Sequence, residues 1–243
     1  MKNNNLFQYY YYYKIIGNAN TIIANIDAAS GEQTSKDYIK AQALTFRAYC
    51  FTMLAQLYCS RWSDSNSGAS QGLVLRIDQS TGDLAMSTLA QTYAQIYSDL
   101  DEAIKLYTSS GISRASGNTY SPDIHVAYAT YARAALCRED WATAAAMAPK
   151  ARNGFPLMTV AEYKAGFCNP NQEWIWSSWG SEDETLYYYS YFSYMAYNAS
   201  SSAVRSYPKR ISKVIYDKIP STDIRKGLFL DPQTYAFTAS TGA

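Results

Sequence analysis

Apolar positions over the first two-thirds of the chain recur at steps of three and four, the period of a helix with one buried face. Tyr12, Ile15, Ala19, Ile22 and Ile26 form the first stripe. Ala41, Leu44, Ala48, Phe51, Ala55 and Tyr58 form the second, with Ser35 as its expected N-cap. Leu89, Tyr93, Ile96, Leu100, Ala103 and Tyr107 form the third. It opens on Thr88-Leu89-Ala90-Gln91, a spacing that lets a hydroxyl and an amide satisfy free backbone donors. The fourth is expected to start at Ser121-Pro122-Asp123, with proline at the first helical position, and to bury Ile124, Tyr128, Tyr131 and Ala135. In the fifth, from Glu139, the stripe is Trp141, Ala144, Ala148 and Ala151, and Pro149 is expected to kink the helix or end it early.

Serine- and glycine-rich connectors separate these helices at 60–72, 108–121 and 198–206. The first is long for a compact domain, a length that goes with function or disorder, and it carries Arg61, Trp62 and Asp64. Beyond Gly154 the periodicity fades: Asn171-Gln172-Glu173-Trp174-Ile175-Trp176 reads as a short extended segment. A tyrosine-rich loop and a short helix around Ile211, Val214 and Ile215 follow it. Small residues in Ala132 to Ala145 let two helices approach closely, with Trp141 as a wedge at the turn, which resembles a tetratricopeptide unit. The expected fold is all-α, with tetratricopeptide-like helix pairs (36–58 with 88–107, 122–136 with 139–152), long loops and minor strand content near Trp174 to Trp176. A single domain over 1–243 is expected, with a helical core at about 9–152 and an aromatic, loop-rich region at about 155–243.

Composition narrows the partners. With 21 basic and 20 acidic residues and a formal charge of +1, the chain lacks the basic face that nucleic acid or an anionic membrane requires. No apolar run approaches the roughly 20 residues of a membrane span. The 4 cysteines include no CxxC pair and His125 is the only histidine, so neither metal nor cofactor is expected. Cys50 and Cys137 lie among apolar residues of helical patterns and are expected as buried thiols. The abundant residue is tyrosine, 24 of 243, dense at Tyr9 to Tyr13 and again from Tyr187 to Tyr197. Its ring is apolar and its tip polar, which suits a core or a wet, hydroxyl-rich ligand. On a helix the first run must point all round, so about half of it should be core.

Several segments, in order, resemble the SusD/RagB family of surface glycan-binding lipoproteins. Tyr13 to Asn20 is similar to its early "Y..I..AN.II" helix, and Phe46 to Phe51 to its "RA..YF" helix, ending at Gln56-Leu57-Tyr58. Tyr93 to Ala103 looks like "VY..I..DL..A", Asp140 to Ala148 like "W..A...A", and Asn171 to Trp176 like "NEEIIW". Pro208-Lys209-Arg210 and Asp223-Ile224-Arg225 resemble the late "P..R" and "D.R" elements. The resemblance covers about 9–230 and implies an outer-membrane, surface-exposed lipoprotein that passes oligosaccharide or polysaccharide to a TonB-dependent, SusC-like transporter. Family members are longer and begin with a lipoprotein signal and an anchoring cysteine, so the chain is expected to be a portion of such a protein.

Catalysis has little to draw on. His125 has no triad partner evident from spacing. Glu173, Glu182, Asp183 and Glu184 read as solvated loop charges rather than a glycosidase pair, and no phosphate-binding glycine loop is present. The aromatic loop is the better site. Trp179, beside Gly180, is expected as a stacking platform, with Tyr188, Tyr191 and Tyr194 next and Trp62 and Asp64 as a second wall. Non-catalytic glycan binding is therefore the leading expectation. A tetratricopeptide-like adaptor for a peptide or protein is the alternative, and a glycosidase the third reading.

Overall fold

A computed structural model describes residues 2–165, 167, 169–178 and 210–229, with side chains from Leu6 onward. The chain divides into two compact units, 1–157 with 170–178, and 158–169 with 179–243. Residues 170–178 thus join the helical unit rather than the loop-rich region. The first unit contains α1 (Lys2–Asn25), α2 (Gln33–Tyr58), α3 (Leu89–Ser110), α4 (Ile124–Cys137) and α5 (Trp141–Arg152). Within the second lie α6 (Val160–Ala165), a helix at Lys213–Lys218 and a 3₁₀ turn at Ile224–Leu228.

Each helix of the first unit runs antiparallel to the one before it. Tyr9 meets Tyr58 at 5.4 Å between ring centroids, while at the other end of the pair Lys40 bonds Asp27 at 2.6 Å. Thr45 reaches Tyr107, and Trp62 just beyond α2 meets Tyr93, so α3 returns along α2. Tyr97 packs on Tyr131 at 4.7 Å and the Tyr107 hydroxyl donates to the Pro122 carbonyl, which sets α4 against α3. Three residues, Arg138 to Asp140, turn α4 into α5, with Glu139 in the left-handed region at φ 62°. The architecture is all-α, built of stacked antiparallel helices as expected.

The sequence periods survive best where one face is apolar and the other is not. Every member of the third stripe is buried, and the capping box at Thr88 and Gln91 is formed. In α1 the inward face is Tyr9, Tyr12, Tyr13, Ile15, Ile16, Ala19, Asn20 and Ile23; Tyr12, Ile15 and Ala19 of the expected stripe belong to it, while Ile22 is 41% exposed. Toward the C-terminal end of the helix the inward face passes through Asn20 and Ile23 rather than Ile22, because the Asn20 amide finds its partners there. Of the five tyrosines Tyr9 to Tyr13, Tyr9, Tyr12 and Tyr13 pack on the core while Tyr10 and Tyr11 face out.

Other expectations need correction. Helix α2 starts at Gln33 with Glu32 in the cap position, ahead of Ser35. At α4 the cap is Asp123, whose carboxylate accepts from the His125 and Val126 backbones; Pro122 therefore precedes the helix. Helix α5 continues through Pro149 to Arg152. The proline lies close to the C-terminal end, where only one interior hydrogen bond is forfeited, and on a solvent-facing turn. The inward residues of α5 are Ala144, Met147 and Ala151; Trp141 is 62% exposed and does not wedge the turn. Arg138 fills that place, its guanidinium 5.2 Å from the Trp62 ring and 5.0 Å from the Tyr97 ring. Trp174 to Trp176 form no strand, since their partners are side chains and single carbonyls rather than a neighbouring strand. Among the described residues the sole bridge is the isolated pair Gln71 and Thr88.

A buried polar network ties four segments together. Arg47 of α2 grips Asp99 of α3 through Nε–Oδ2 at 2.8 Å and Nη2–Oδ1 at 2.6 Å. Its Nη1 donates to Asn20 Oδ1 of α1 at 2.8 Å and to the Ile77 carbonyl at 3.0 Å. Asn20 in turn donates to the Arg76 and Asp78 carbonyls, and Gln95 donates to Asp99. Desolvation pushes the Asp99 carboxyl upward, and the Arg47 guanidinium and Gln95 amide pull against it. Removing one partner leaves the other charge buried and unpaired. Asp99→Ala and Arg47→Ala are each expected to lower unfolding stability by about 3–5 kcal/mol, read from denaturant midpoints.

The connector 59–88 follows the helices without regular structure for most of its length. Gly72 donates to the Ser87 carbonyl at 2.8 Å and Ser87 donates back to Leu73 at 2.8 Å, holding the connector against the start of α3. A Cβ on Gly72 would sit 2.4 Å from the Thr88 carbonyl oxygen and 2.5 Å from Thr92 Oγ1. The first is backbone, and Thr92 Oγ1 is a side-chain atom held by hydrogen bonds from the Leu73 amide and to the Thr88 carbonyl, so neither can yield cheaply. Gly72→Ala should lower the melting temperature by more than Gly82→Ala, whose Cβ would meet nothing within 4 Å. Differential scanning calorimetry on the two variants measures the contrast.

Candidate functional site

The aromatic loop expected to hold a ligand, with Trp179, Tyr188, Tyr191 and Tyr194, lies outside the described residues. Trp62 and Asp64 are described and occupy a single 3₁₀ turn, Trp62–Asp64, just after α2. Trp62 is half-buried. Its ring edge meets Tyr93 at 5.8 Å, Arg138 stacks over it, and the Ser65 hydroxyl donates to its carbonyl at 2.6 Å. A Cβ on Gly68 would come within 2.7 Å of the ring, so that glycine is what lets the loop close over the indole. Asp64 is exposed beside it. The Ser63 backbone donates to Glu139 at 3.2 Å and fastens this shelf to the α4–α5 turn. A partly open indole with a free carboxylate beside it could face a polyol, although much of the ring is already in use for packing.

A second concavity lies at the opposite end of α3. Tyr107 lines it, and Tyr107 stands about 21 Å along the helix from the Tyr93 that Trp62 touches, at 1.5 Å of rise per residue. The cleft measures about 410 Å³ and is walled by the 112–119 loop, the start of α4, Phe155 and the 171–174 segment. Its walls are cross-linked. Trp176 Nε1 donates to the Tyr120 carbonyl at 2.8 Å, Thr119 and Ser177 hydroxyls meet at 2.6 Å, and the Ser177 backbone donates to Thr119. The Trp176 ring lies edge-on to Phe46 at 5.6 Å and Tyr49 at 5.0 Å, so α2 supplies the floor on which this strap rests.

Arg114 anchors the strap electrostatically. Its Nε lies 3.3 Å from Asp123, the cap of α4, and its Nη1 donates to the Ser121 and Ile175 carbonyls at 3.0 Å each. Asn118 accepts from the Tyr120 and Ser121 backbones and shapes the turn. Nothing in the periodic pattern singled out this cleft. The connector 108–121 read only as a linker, and the pairing of Arg114 with Asp123 depends on how the chain folds back.

Reactive chemistry is sparse among the described residues. No group of three or more His, Cys, Asp or Glu side chains is placed to hold a metal ion. His125 lies against Phe155 at 5.1 Å with Nδ1 3.3 Å from the Lys150 carbonyl, a packing position at the base of α5. Burial raises the phenols of Tyr13, Tyr93, Tyr107 and Tyr131, and holds that of Tyr97 at about 12. None of these is poised to donate or accept a proton near neutrality. Cys50, Cys59 and Cys137 are free thiols; Cys50 is buried as expected, and Cys137 is half-buried. Cys168 lies outside the described residues. Desolvation carries Cys50 up to about 12 and Cys59 up to about 11. At pH 8 both should therefore be slow toward 5,5′-dithiobis(2-nitrobenzoate) in the folded protein and react promptly in denaturant. Stopped-flow absorbance on the Cys137→Ser/Cys168→Ser variant reads the two directly.

The family described as "starch-binding associating with outer membrane" (SusD-like) matches residues 1–136, and the chain belongs to this family. Among solved structures, a SusD-like carbohydrate-binding protein of Bacteroides vulgatus is similar at 31% identity with a TM-score of 0.66, over 74% of this chain and 38% of that one. A SusD superfamily protein of Bacteroides thetaiotaomicron is similar at 25% identity with a TM-score of 0.55, over 63% of this chain and 34% of its own. A laminarin-binding SusD-like protein, at 15% identity and a TM-score of 0.52, shares the fold. No curated protein matches. The chain spans well under half the length of these solved relatives. No helix among the described residues is long and apolar enough to cross a membrane.

Proposed function

We propose that the protein captures oligosaccharides without cleaving them, at the outer-membrane surface, and delivers them to a TonB-dependent, SusC-like transporter. The observation that carries this reading is the likeness to the Bacteroides vulgatus carbohydrate-binding protein over 74% of the chain, in addition to family membership. In this reading a lipid anchor on the whole protein holds it at the membrane. The helical unit is the scaffold, and aromatic rings on its loops are the receptor surface. Trp179, Tyr188, Tyr191 and Tyr194 supply stacking faces, with Trp62 and Asp64 as a second wall.

Capture without turnover suits these residues. Stacking on a sugar's C–H face and hydrogen bonds to its hydroxyls hold a ground state and do not favour a transition state, so they bind without accelerating reaction. Each good ring contact contributes on the order of 1 kcal/mol, which gives affinities of roughly micromolar or weaker. Trp179→Ala is expected to weaken binding of maltoheptaose or laminarihexaose by about fivefold with unchanged far-UV circular dichroism, measured by calorimetry. Parent-like affinity in both Trp179→Ala and Tyr191→Ala would remove the loop as the site. Release of reducing ends from polysaccharide by the purified protein, lost in Glu173→Gln or Glu184→Gln, would overturn the non-catalytic reading.

A further inference from the structure

We infer that the cleft between the 112–119 loop and the 171–174 segment is a second saccharide site, taking a short neutral oligosaccharide. The inference extends the glycan-capture reading to residues other than those of the aromatic loop, and shares with it only the class of ligand.

Shape is the first ground. At about 410 Å³ the cleft falls within the size of small-ligand sites, and it is bounded by segments held to one another rather than by loose loops. The Thr119–Ser177 and Trp176–Tyr120 bonds, with Arg114 bonded to the Ile175 carbonyl, join its two walls before any ligand arrives. A preformed site loses little freedom on binding.

Chemistry is the second. The cleft is lined by two aromatic rings, Trp174 and Phe155, and by the hydroxyl side chains of Ser113 and Ser116, with the Asn118 amide already engaged in shaping the loop. That mixture matches a pyranose, which has apolar C–H faces and a polar rim. Charge narrows the class further. Arg114 and Asp123, the ionic residues in the lining apart from His125, are paired at 3.3 Å and largely buried, so neither is left over for an ionised ligand. A phosphate or uronate would have to break that pair, and Asp123 is also committed to the α4 backbone. A neutral sugar need displace neither.

The test follows the indole N–H signals of the full chain, with ¹⁵N-labelled tryptophan, during titration with maltotriose, laminaritriose, cellotriose and trigalacturonate. Single Trp→Phe variants assign the 5 signals. Expected is a saturable shift of the Trp174 signal with at least one neutral trisaccharide, and none with trigalacturonate. Ser116→Phe, an exposed rim position that would fill the cleft, should abolish the Trp174 shift while leaving the spectrum otherwise folded. A Trp179 or Trp62 response should persist in that variant. A Trp174 signal that stays still while Trp179 or Trp62 shifts overturns this inference and leaves the aromatic-loop site standing. A Trp174 response without either of the others supports the cleft and removes the aromatic loop. No response from any indole overturns both, and a shift with trigalacturonate overturns the restriction to neutral sugars.

Discussion

The helical unit is organised about one buried ion pair, Arg47 with Asp99. A charge pair in an apolar interior has lost its water, and it is tolerated only if every donor and acceptor is answered. Here α1 answers with Asn20, the 76–78 chain with its carbonyls, and α3 with Asp99 and Gln95. The consequence is geometric. Helices that could slide against one another on apolar contacts alone are held in one register, because a shift of a turn would strand a guanidinium or a carboxylate. Helix α2 can then be buried on much of its circumference, against α1, α3 and α4.

That network gives a physical meaning to the residues that carry the family resemblance. The asparagine of the "AN" pair, the arginine of "RA" and the aspartate of "DL" are Asn20, Arg47 and Asp99, and in the fold they are partners. They hold the scaffold together from inside its core. The tryptophan of the "NEEIIW"-like segment, Trp176, has a similar duty, seated between Phe46, Tyr49 and the Tyr120 carbonyl. Among the described residues, the scaffold leaves over part of Trp62 and the surfaces around the cleft at the far end of α3. Evolution of ligand choice on such a scaffold can proceed on loops while the polar core stays constant, because the two sets of residues barely overlap.

Local sequence was sufficient for the existence of α1 to α5 and, in α3, for every buried apolar residue, but not for the buried Thr92, Asp99 and Ser110 or for helix α6. An amphipathic stripe with a capping box contains its own instructions: the period decides the face and the cap decides the start. Helix α5 shows the limit of the same reasoning. It is rich in alanine on all sides, so the period could not tell Ala144, Met147 and Ala151 from Trp141 and Ala148, and only packing against α4 chose. Likewise Pro149 was a strong local signal with a weak effect: only three helical residues follow it, and the carbonyl it leaves without a partner lies on the exposed side of α5.

By itself the sequence determined the class of fold, the order of its helices, the near-neutral charge and the aromatic supply from which a sugar site can be made. Those properties depend on residue type and short spacing, which are local. Tertiary structure decided which polar residues are core and which aromatic rings are structural. Asn20 looks like a surface residue and Ile22 like a core one until Arg47 and the 76–78 carbonyls arrive to satisfy the amide. The cleft beside Arg114 and Asp123 likewise exists only because 171–178 folds back over 112–123. Burial of a polar group is settled by partners many residues away, and no local pattern records them.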